Sequence, residues 1–240
     1  MSTKILAHRG WSARYPENTL TAFAAALTVG CDGLEFDVQL TADEVPVVLH
    51  DPTVDRTTDG TGRVSRLRFA DIRQLNAAAG REGFHAVPTL EEVLQLAALH
   101  HPTGLYNIEL KVHEGDGRAL VNRVVPLVLA HPIGRRVLFS SFHHGCLAYL
   151  RSRHPEAAIG LLFEEPVLEP WLRAQAVGAW SVNAEASWAR DVIEPCRRHG
   201  VHVCVWTVDD PVAMRRFFRQ GTDVLISNVP DVALRVRKKV

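Results

Sequence analysis

The segment Gly33–Asp51, GLEFDVQLTADEVPVVLHD, decides how the rest of the chain is read. Leu34 to Val38 and Val45 to His50 each carry the short apolar, β-branched character of a strand. Thr41-Ala42-Asp43-Glu44 between them is too short for the helical crossover that two parallel strands need, so the two arms must run antiparallel. Seven more strand candidates lie outside this hairpin: Ile5 to His8, Tyr106 to Lys111, Val137 to Phe142, Ile159 to Phe163, Ala179 to Asn183, Val201 to Thr207 and Val224 to Ser227. Counting the returning arm of the hairpin as an excursion leaves eight strands in a repeating βα pattern, which is the count of a TIM-type (β/α)8 barrel of the α/β class.

Helix candidates fill the intervals: Thr19 to Thr28, Leu90 to Leu99, Gly117 to Ala130, His144 to Arg153, Pro170 to Ala176, Ala189 to Arg198 and Pro211 to Arg219. Asn18 or Thr19, Thr89 with Glu91 and Glu92, and Asp209 or Asp210 before Pro211 supply N-caps, while Gly30, Gly200 and Gly221 stand where helices end. The stretch from Asp51 to Gly83 is longer than an ordinary connection and is expected to cover a rim of the barrel, giving one domain over 1–240 with an insertion at about 38–83.

Composition narrows the function classes. The chain has 240 residues, 27 basic against 27 acidic, 47% apolar and 22% charged. A zero formal charge argues against a nucleic-acid surface, and no apolar run approaches the roughly 18 residues of a membrane span, so neither an anchor nor a signal peptide is expected and the location is read as cytoplasmic. Four cysteines without a Cys-x-x-Cys pair read as reduced, buried thiols.

In a (β/α)8 barrel the chemistry stands at the carboxyl ends of the strands, and here those ends are polar. Glu35 and Asp37 are two apart on a strand and share a face, as do Glu109 and Lys111. Three inward carboxylates repel one another unless a cation joins them. Oxygen ligands without a Cys or His cluster suit Mg²⁺ or Ca²⁺ better than Zn²⁺, and the alternative is a salt-bridged network with Arg9 and Lys111. His8 and His50 also end strands, and an imidazole pair suits acid and base work around one reacting atom.

The ordered blocks His8-Arg9-Gly10, Pro16-Glu17-Asn18-Thr19, Glu35-Phe36-Asp37-Val38, His50-Asp51 and Ile108-Glu109-Leu110-Lys111 resemble the glycerophosphodiester phosphodiesterase family. Arg56-Thr57-Thr58 with Gly60 and Gly62, Pro88-Thr89-Leu90-Glu91-Glu92, Ser140-Ser141-Phe142 and Trp206-Thr207-Val208 are similar to further landmarks, so the resemblance runs over about residues 5 to 230. It implies a metal-dependent phosphoric diester hydrolase. Glycerophosphodiesters such as glycerophosphocholine or glycerophosphoethanolamine would be cleaved to glycerol 3-phosphate and an alcohol. The implied roles are Glu35, Asp37 and Glu109 as ligands of one divalent cation (Mg²⁺ or Ca²⁺, with Mn²⁺ as a further candidate) and His8 and His50 as the catalytic pair. Arg9 would bind the phosphate, and Lys111 would stand beside metal and phosphate. Asn18 falls near the site, or caps the first helix; Glu17 falls beside it.

Phe142 and Trp206 either line the alcohol pocket or fill core. Asp51 either orients His50 or begins a turn with Pro52. Glu164, Asn183 and Glu185 match no family motif. The family's Asp-Gly hairpin turn is replaced by Asp43-Glu44, and its Thr-Asp after the last strand by Ser227-Asn228, which removes a carboxylate near the site but none of the three implied ligands. The rival readings are a lysophospholipase D-like or other lipid-cleaving phosphodiester barrel, a two-carboxylate glycoside hydrolase, and a binding barrel without turnover. The implied partner is a small-molecule diester, with the oligomeric state open.

Overall fold

The computed structural model describes residues 2–78 and 80–240; Met1 and Ala79, the latter inside the expected insertion, lie outside the described residues. Nine strands form one sheet in the order β1-β9-β8-β7-β6-β5-β4-β2-β3, and a further pairing of β1 with β2 closes eight of them into a ring. The ring strands are β1 (Lys4–His8), β2 (Gly33–Leu40), β4 (Leu105–Leu110), β5 (Val137–Ser141), β6 (Ala158–Phe163), β7 (Ser181–Glu185), β8 (His202–Trp206) and β9 (Val224–Ser227), all parallel to their ring neighbours. The ninth, β3 (Pro46–Val48), pairs antiparallel with β2, Val38 opposite Val48 and Leu40 opposite Pro46, and stays outside the ring. The barrel and the antiparallel excursion expected from residues 33–51 are both present.

Helices α1 (Leu20–Thr28), α3 (Leu90–His100), α4 (Arg118–Ala130), α5 (His144–Arg153), α6 (Pro170–Ala176), α8 (Ile193–Arg198), α9 (Pro211–Gln220) and α10 (Pro230–Arg237) clothe the ring, with single turns α2 (Phe69–Ile72) and α7 (Ala186–Ala189). The outward faces of the strands pack under them in one large apolar layer containing Phe36, Tyr106, Ile108 and Phe139. Inside the ring a smaller apolar plug of Leu6, Leu138, Cys204, Val224 and Ile226 fills the barrel. Polar groups sit inside the ring as well, including the buried Asn107, Ser140, Ser181 and Asn183.

Several local expectations are corrected. The strand expected from Val45 to His50 is only Pro46–Val48; Leu49 still donates its backbone amide to the Asp37 carbonyl (3.1 Å), and the chain bends at His50. The single helix expected over Ala189 to Arg198 is split into α7 and α8. Trp188 Nε1 donates to the Glu164 carbonyl at 2.9 Å, which anchors the first turn to the β6 end before the chain resumes. Thr19, not Asn18, caps α1: its hydroxyl accepts from the Ala22 amide. Asp210, not Asp209, caps α9 by accepting from Ala213. Helix α10, absent from the sequence reading, begins at Pro230, where the fixed proline φ suits a first turn.

The insertion holds its own core. Val47, Leu49, Val54, Val64, Ile72, Ala77 and Val87 are buried together, apart from the barrel layers. Arg73 ties this unit to α3 by a two-pronged contact with Glu92 (2.6 and 2.7 Å), while Glu92 also completes a capping box with Thr89. The insertion is thereby fixed over the β2 end of the barrel. Among the described residues no helix is long and apolar enough to cross a membrane.

Candidate active site

Strand register assembles the site. His8 at the end of β1 is paired in register with Glu35 on β2, and Asp37 on β2 with Glu109 on β4. Because successive side chains alternate, Phe36 and Ile108 go outward into the apolar layer while the three acids go inward. One carboxylate oxygen from each of Glu35, Asp37 and Glu109 lies within 4.8 Å of the others, and all three residues are buried.

The chain leaves β1 through Arg9 and Gly10, both at positive φ (54° and 81°). A Cβ on Gly10 would stand 2.7 Å from the backbone of Ala22 in α1, so only glycine fits there. This turn reverses Arg9 back over the barrel mouth. Its backbone amide donates to the Glu35 carbonyl (2.8 Å), its Nε stands 3.3 Å from Asp37 Oδ2, and its Nη1 donates to Glu17 at 2.9 Å. Asn18 is likewise at positive φ (57°), and its Nδ2 donates to Asp37 Oδ2 at 2.9 Å, so it touches the acid cluster and caps no helix. Lys111, just past β4, places Nζ 2.7 Å from Glu109 and 3.4 Å from Asp37 Oδ1.

Each imidazole is held through Nδ1. His50 Nδ1 meets the Asp51 carboxylate at 2.6 Å, and Asp51 in turn accepts from Arg56 Nε at 2.6 Å. Arg56 also clasps Glu17 with both terminal nitrogens (2.8 and 2.9 Å), so one guanidinium links Glu17 to the His50 support. His8 Nδ1 meets Asn228 Oδ1 at 2.7 Å, while its Nε2 lies 3.8 Å from Glu35 Oε2. His8, Arg9, Glu35, His50, Glu109 and Lys111 line one cavity.

The charges of this pocket are mutually displaced. Burial, then the neighbouring charges of Asp37 and Glu109, hold the Glu35 carboxyl well above the usual carboxylate range. Burial and the Asp37 charge push Glu109 up to about 7 against the pull of Lys111. Asp37 goes the other way: burial opposes its charge, but Lys111, Arg9, His50 and the Asn18 hydrogen bond hold it below the usual range. Burial first, then Arg9, lowers His8 to about 4, and burial also lowers His50.

Phe142 and Trp206 form a wall of the same cavity, their rings edge to face at 5.6 Å. Phe142 is 42% exposed, so it is not core filling, and Lys111 Nζ stands 5.9 Å from its ring centre. Trp206 donates its indole N–H to the Asn183 carbonyl. The unassigned polar ends have structural employment: Glu185 caps α7, Asn183 accepts from Ser181 inside the ring, and Glu164 offers its carbonyl to Trp188. Two contributors carry no site role in the sequence. Arg56 was visible only as a landmark, and Asp209 was indistinguishable from its neighbour Asp210 as a cap; here it accepts from Ser227 and Asn228 instead.

The model of the glycerophosphoryl diester phosphodiesterase family matches residues 8–232. The chain belongs to that family. It is therefore a phosphodiesterase, and the fold resemblance stated from sequence holds. A glycerophosphodiester phosphodiesterase of Caldanaerobacter subterraneus subsp. tengcongensis is 35% identical over the whole of this chain and 99% of its own. One of Bacillus altitudinis is 31% identical over 99% of each. Among solved structures, an Oleispira antarctica phosphodiesterase in complex with the product sn-glycerol-3-phosphate superposes with a TM-score of 0.91 at 27% identity, covering 99% of this chain and 97% of the other. The buried acid triad of this phosphodiesterase is a set of oxygen donors that suits a divalent cation.

Proposed function

We propose that this phosphodiesterase hydrolyses glycerophosphodiesters, glycerophosphocholine or glycerophosphoethanolamine among them, to glycerol 3-phosphate and an alcohol, with His8 and His50 exchanging the protons. The observation that carries the reading is the shared cavity, in which two imidazoles, each held through Nδ1, meet two cations and the carboxylates of Glu35 and Glu109, with Asp37 buried against that acid pair.

A phosphodiester anion resists attack until its negative oxygens are neutralised, and its departing alkoxide needs a proton. Arg9 and Lys111 supply fixed positive charge for the non-bridging oxygens, and burial against Asp37 holds both side chains in place. One imidazole takes the proton of the attacking oxygen while the other protonates the leaving alcohol. Phe142 and Trp206 give the glycerol or alcohol moiety an apolar wall.

Glu35, Asp37 and Glu109 are the residues that would hold Mg²⁺, Ca²⁺ or Mn²⁺. Asp37 Oδ1 is buried without a hydrogen-bond partner, with Lys111 Nζ only at 3.4 Å, and the donor set is oxygen throughout. The five inner charges, three acids against Arg9 and Lys111, leave one negative charge; a divalent cation and a singly charged diester together bring the cluster to neutrality. When bound, such an ion supplies Lewis-acid stabilisation of charge developing on phosphorus-bound oxygens.

The test is a panel of glycerophosphodiesters, read for glycerol 3-phosphate, with lysophosphatidylcholine alongside, read for choline and lysophosphatidic acid, before and after chelation, on wild type, His8→Ala and His50→Ala. Each variant is expected to lose about 10²- to 10⁴-fold in kcat, and chelation to abolish turnover until Mg²⁺, Mn²⁺ or Ca²⁺ is restored. Near wild-type turnover in either variant removes the histidine pair. Full turnover after exhaustive chelation removes the metal, and product from lysophosphatidylcholine alone moves the substrate to lipids.

A further inference from the structure

Asn228 follows β9 and Asp209 follows β8, which are neighbouring strands, and between them runs a hydrogen-bonded chain that ends on His8. Asp209 Oδ1 accepts from the Asn228 amide (2.8 Å) and from Ser227 Oγ (3.0 Å), while Oδ2 accepts from Asn228 Nδ2 at 2.6 Å. An ionised carboxylate accepts and never donates, so the Asn228 side chain must turn its NH₂ group to Asp209. Its carbonyl oxygen then faces the other way, where Ser12 Oγ stands at 2.8 Å and His8 Nδ1 at 2.7 Å. A carbonyl oxygen cannot donate either. His8 Nδ1 must therefore carry hydrogen, and in the neutral ring the bare nitrogen is Nε2, the one that lies towards Glu35 and the cavity.

We propose that Asp209 and Asn228 are positioning residues for His8. The carboxylate fixes which end of the amide faces inward, and the amide fixes the tautomer and tilt of the ring, so that every proton His8 exchanges passes through Nε2. This rests on the reading of His8 as half of the acid-base pair. His50 receives the same service directly from Asp51, whereas His8 receives it through one intervening amide. The intervening amide also keeps the full negative charge of Asp209 a residue away from a ring that already stands beside Glu35. Ser12 locks the geometry from the β1 side, because its hydroxyl also lies 2.8 Å from the His8 carbonyl.

Polarity along the chain makes a swap possible. In Asp209→Asn the new amide keeps its oxygen towards the Asn228 backbone and meets the Asn228 NH₂ with a second NH₂. The Asn228 side chain then flips and presents NH₂ to His8 Nδ1, which forces the opposite tautomer. Asn228→Asp sets two carboxylates against each other. The double exchange, Asn228→Asp with Asp209→Asn, restores an acceptor facing His8 and a donor facing that acceptor.

The test combines the ¹⁵N resonances of the His8 ring at about pH 8, where an imidazole of ordinary or lowered pKa is neutral, with kcat and KM. Asp209→Asn is expected to convert Nδ1 from the protonated to the bare nitrogen signature and to lower kcat about tenfold to a hundredfold at unchanged KM. The double exchange is expected to return both towards wild type even if either single variant folds poorly. A wild-type tautomer in Asp209→Asn, or a double exchange no better than the single variants, overturns the proposal. The nitrogen signature is read without turnover, so failure of the relay is separable from failure of the His8 role, which His8→Ala tests on its own.

Discussion

Glu35 and Glu109 are acids that hold protons to unusually high pH, and Asp37 between them does not. The difference is one of partners. Asp37 has Lys111, Arg9, His50 and Asn18 directed at it, whereas Glu35 has burial and two like charges acting on it first. A divalent cation binds the ionised carboxylates only, so its binding must expel whatever protons the raised acids hold. Below about 7, where Glu109 is pushed, Glu109 carries its proton in the free protein and above it that proton is gone, while Glu35, held well above the usual carboxylate range, adds to the release. Proton release on Mg²⁺ binding is therefore expected to be positive at about pH 6 and to shrink as pH rises through about 7, where Glu109 ionises, with apparent affinity climbing over the same interval. Titration calorimetry in two buffers of different ionisation enthalpy measures it directly. A buffer-independent heat at the lower pH would mean that the acids are ionised before the cation arrives.

At the scale of elements, the insertion is the part with the most independent structure and the thinnest attachment. Ile72 is fully buried in its small core, with Val47, Val54 and Val64 as neighbours, and the unit is tied to α3 through Arg73 and Glu92. The same unit carries Arg56, which braces both Asp51 behind His50 and Glu17 beside Arg9. Ile72→Ala is expected to cost about 2 to 5 kcal/mol of the insertion's stability, since a side chain truncated in a small core leaves a void that its neighbours fill only in part. The loss should reach the site through Arg56: kcat falls and protection of the insertion's amides from hydrogen exchange falls with it, while the amides of β5 to β8 stay protected. Uniform loss of protection across the barrel would mean that the insertion has no separate core.

This division also marks what was legible in the sequence. Residues two apart on a strand share a face whatever the tertiary structure, so Glu35 with Asp37, and Glu109 with Lys111, could be put on common faces from spacing, and their place at the ends of barrel strands put those faces inward. The hairpin followed from a four-residue turn, because no parallel crossover is that short. Arg56 and Asp209 sit on connections whose paths depend on distant contacts, and the tandem Asp209-Asp210 offers two equal caps until the loop is placed. Helix α10 is not legible in the sequence because a proline just after a strand serves a turn as readily as a helix start, and Pro230 is in fact the first residue of the helix.

For the molecule as a whole, closure of the ring determines how it comes apart. Register joins β1 both to β2 and to β9, so no ring strand has a free edge and no ring strand can peel away alone. The four cysteines sample this arrangement at separate places. Cys31 follows α1, Cys146 and Cys196 lie on the buried faces of α5 and α8, and Cys204 lies inside the ring on β8; all are free and buried. Burial pushes the thiols of Cys31, Cys146 and Cys204 up to about 12 and that of Cys196 to about 11. At pH 8 a thiol near 12 is ionised to roughly one part in ten thousand, against about a quarter for a free cysteine, so both access and nucleophile are withheld. A disulfide reagent at that pH is expected to label none of the four in the native protein within minutes. In rising guanidinium all four should become reactive at a single midpoint that coincides with loss of helical signal. If Cys31, Cys146 or Cys196 labels well before Cys204, the helical layer opens while the ring stays shut, and the barrel is not the cooperative unit that its closed hydrogen bonding implies.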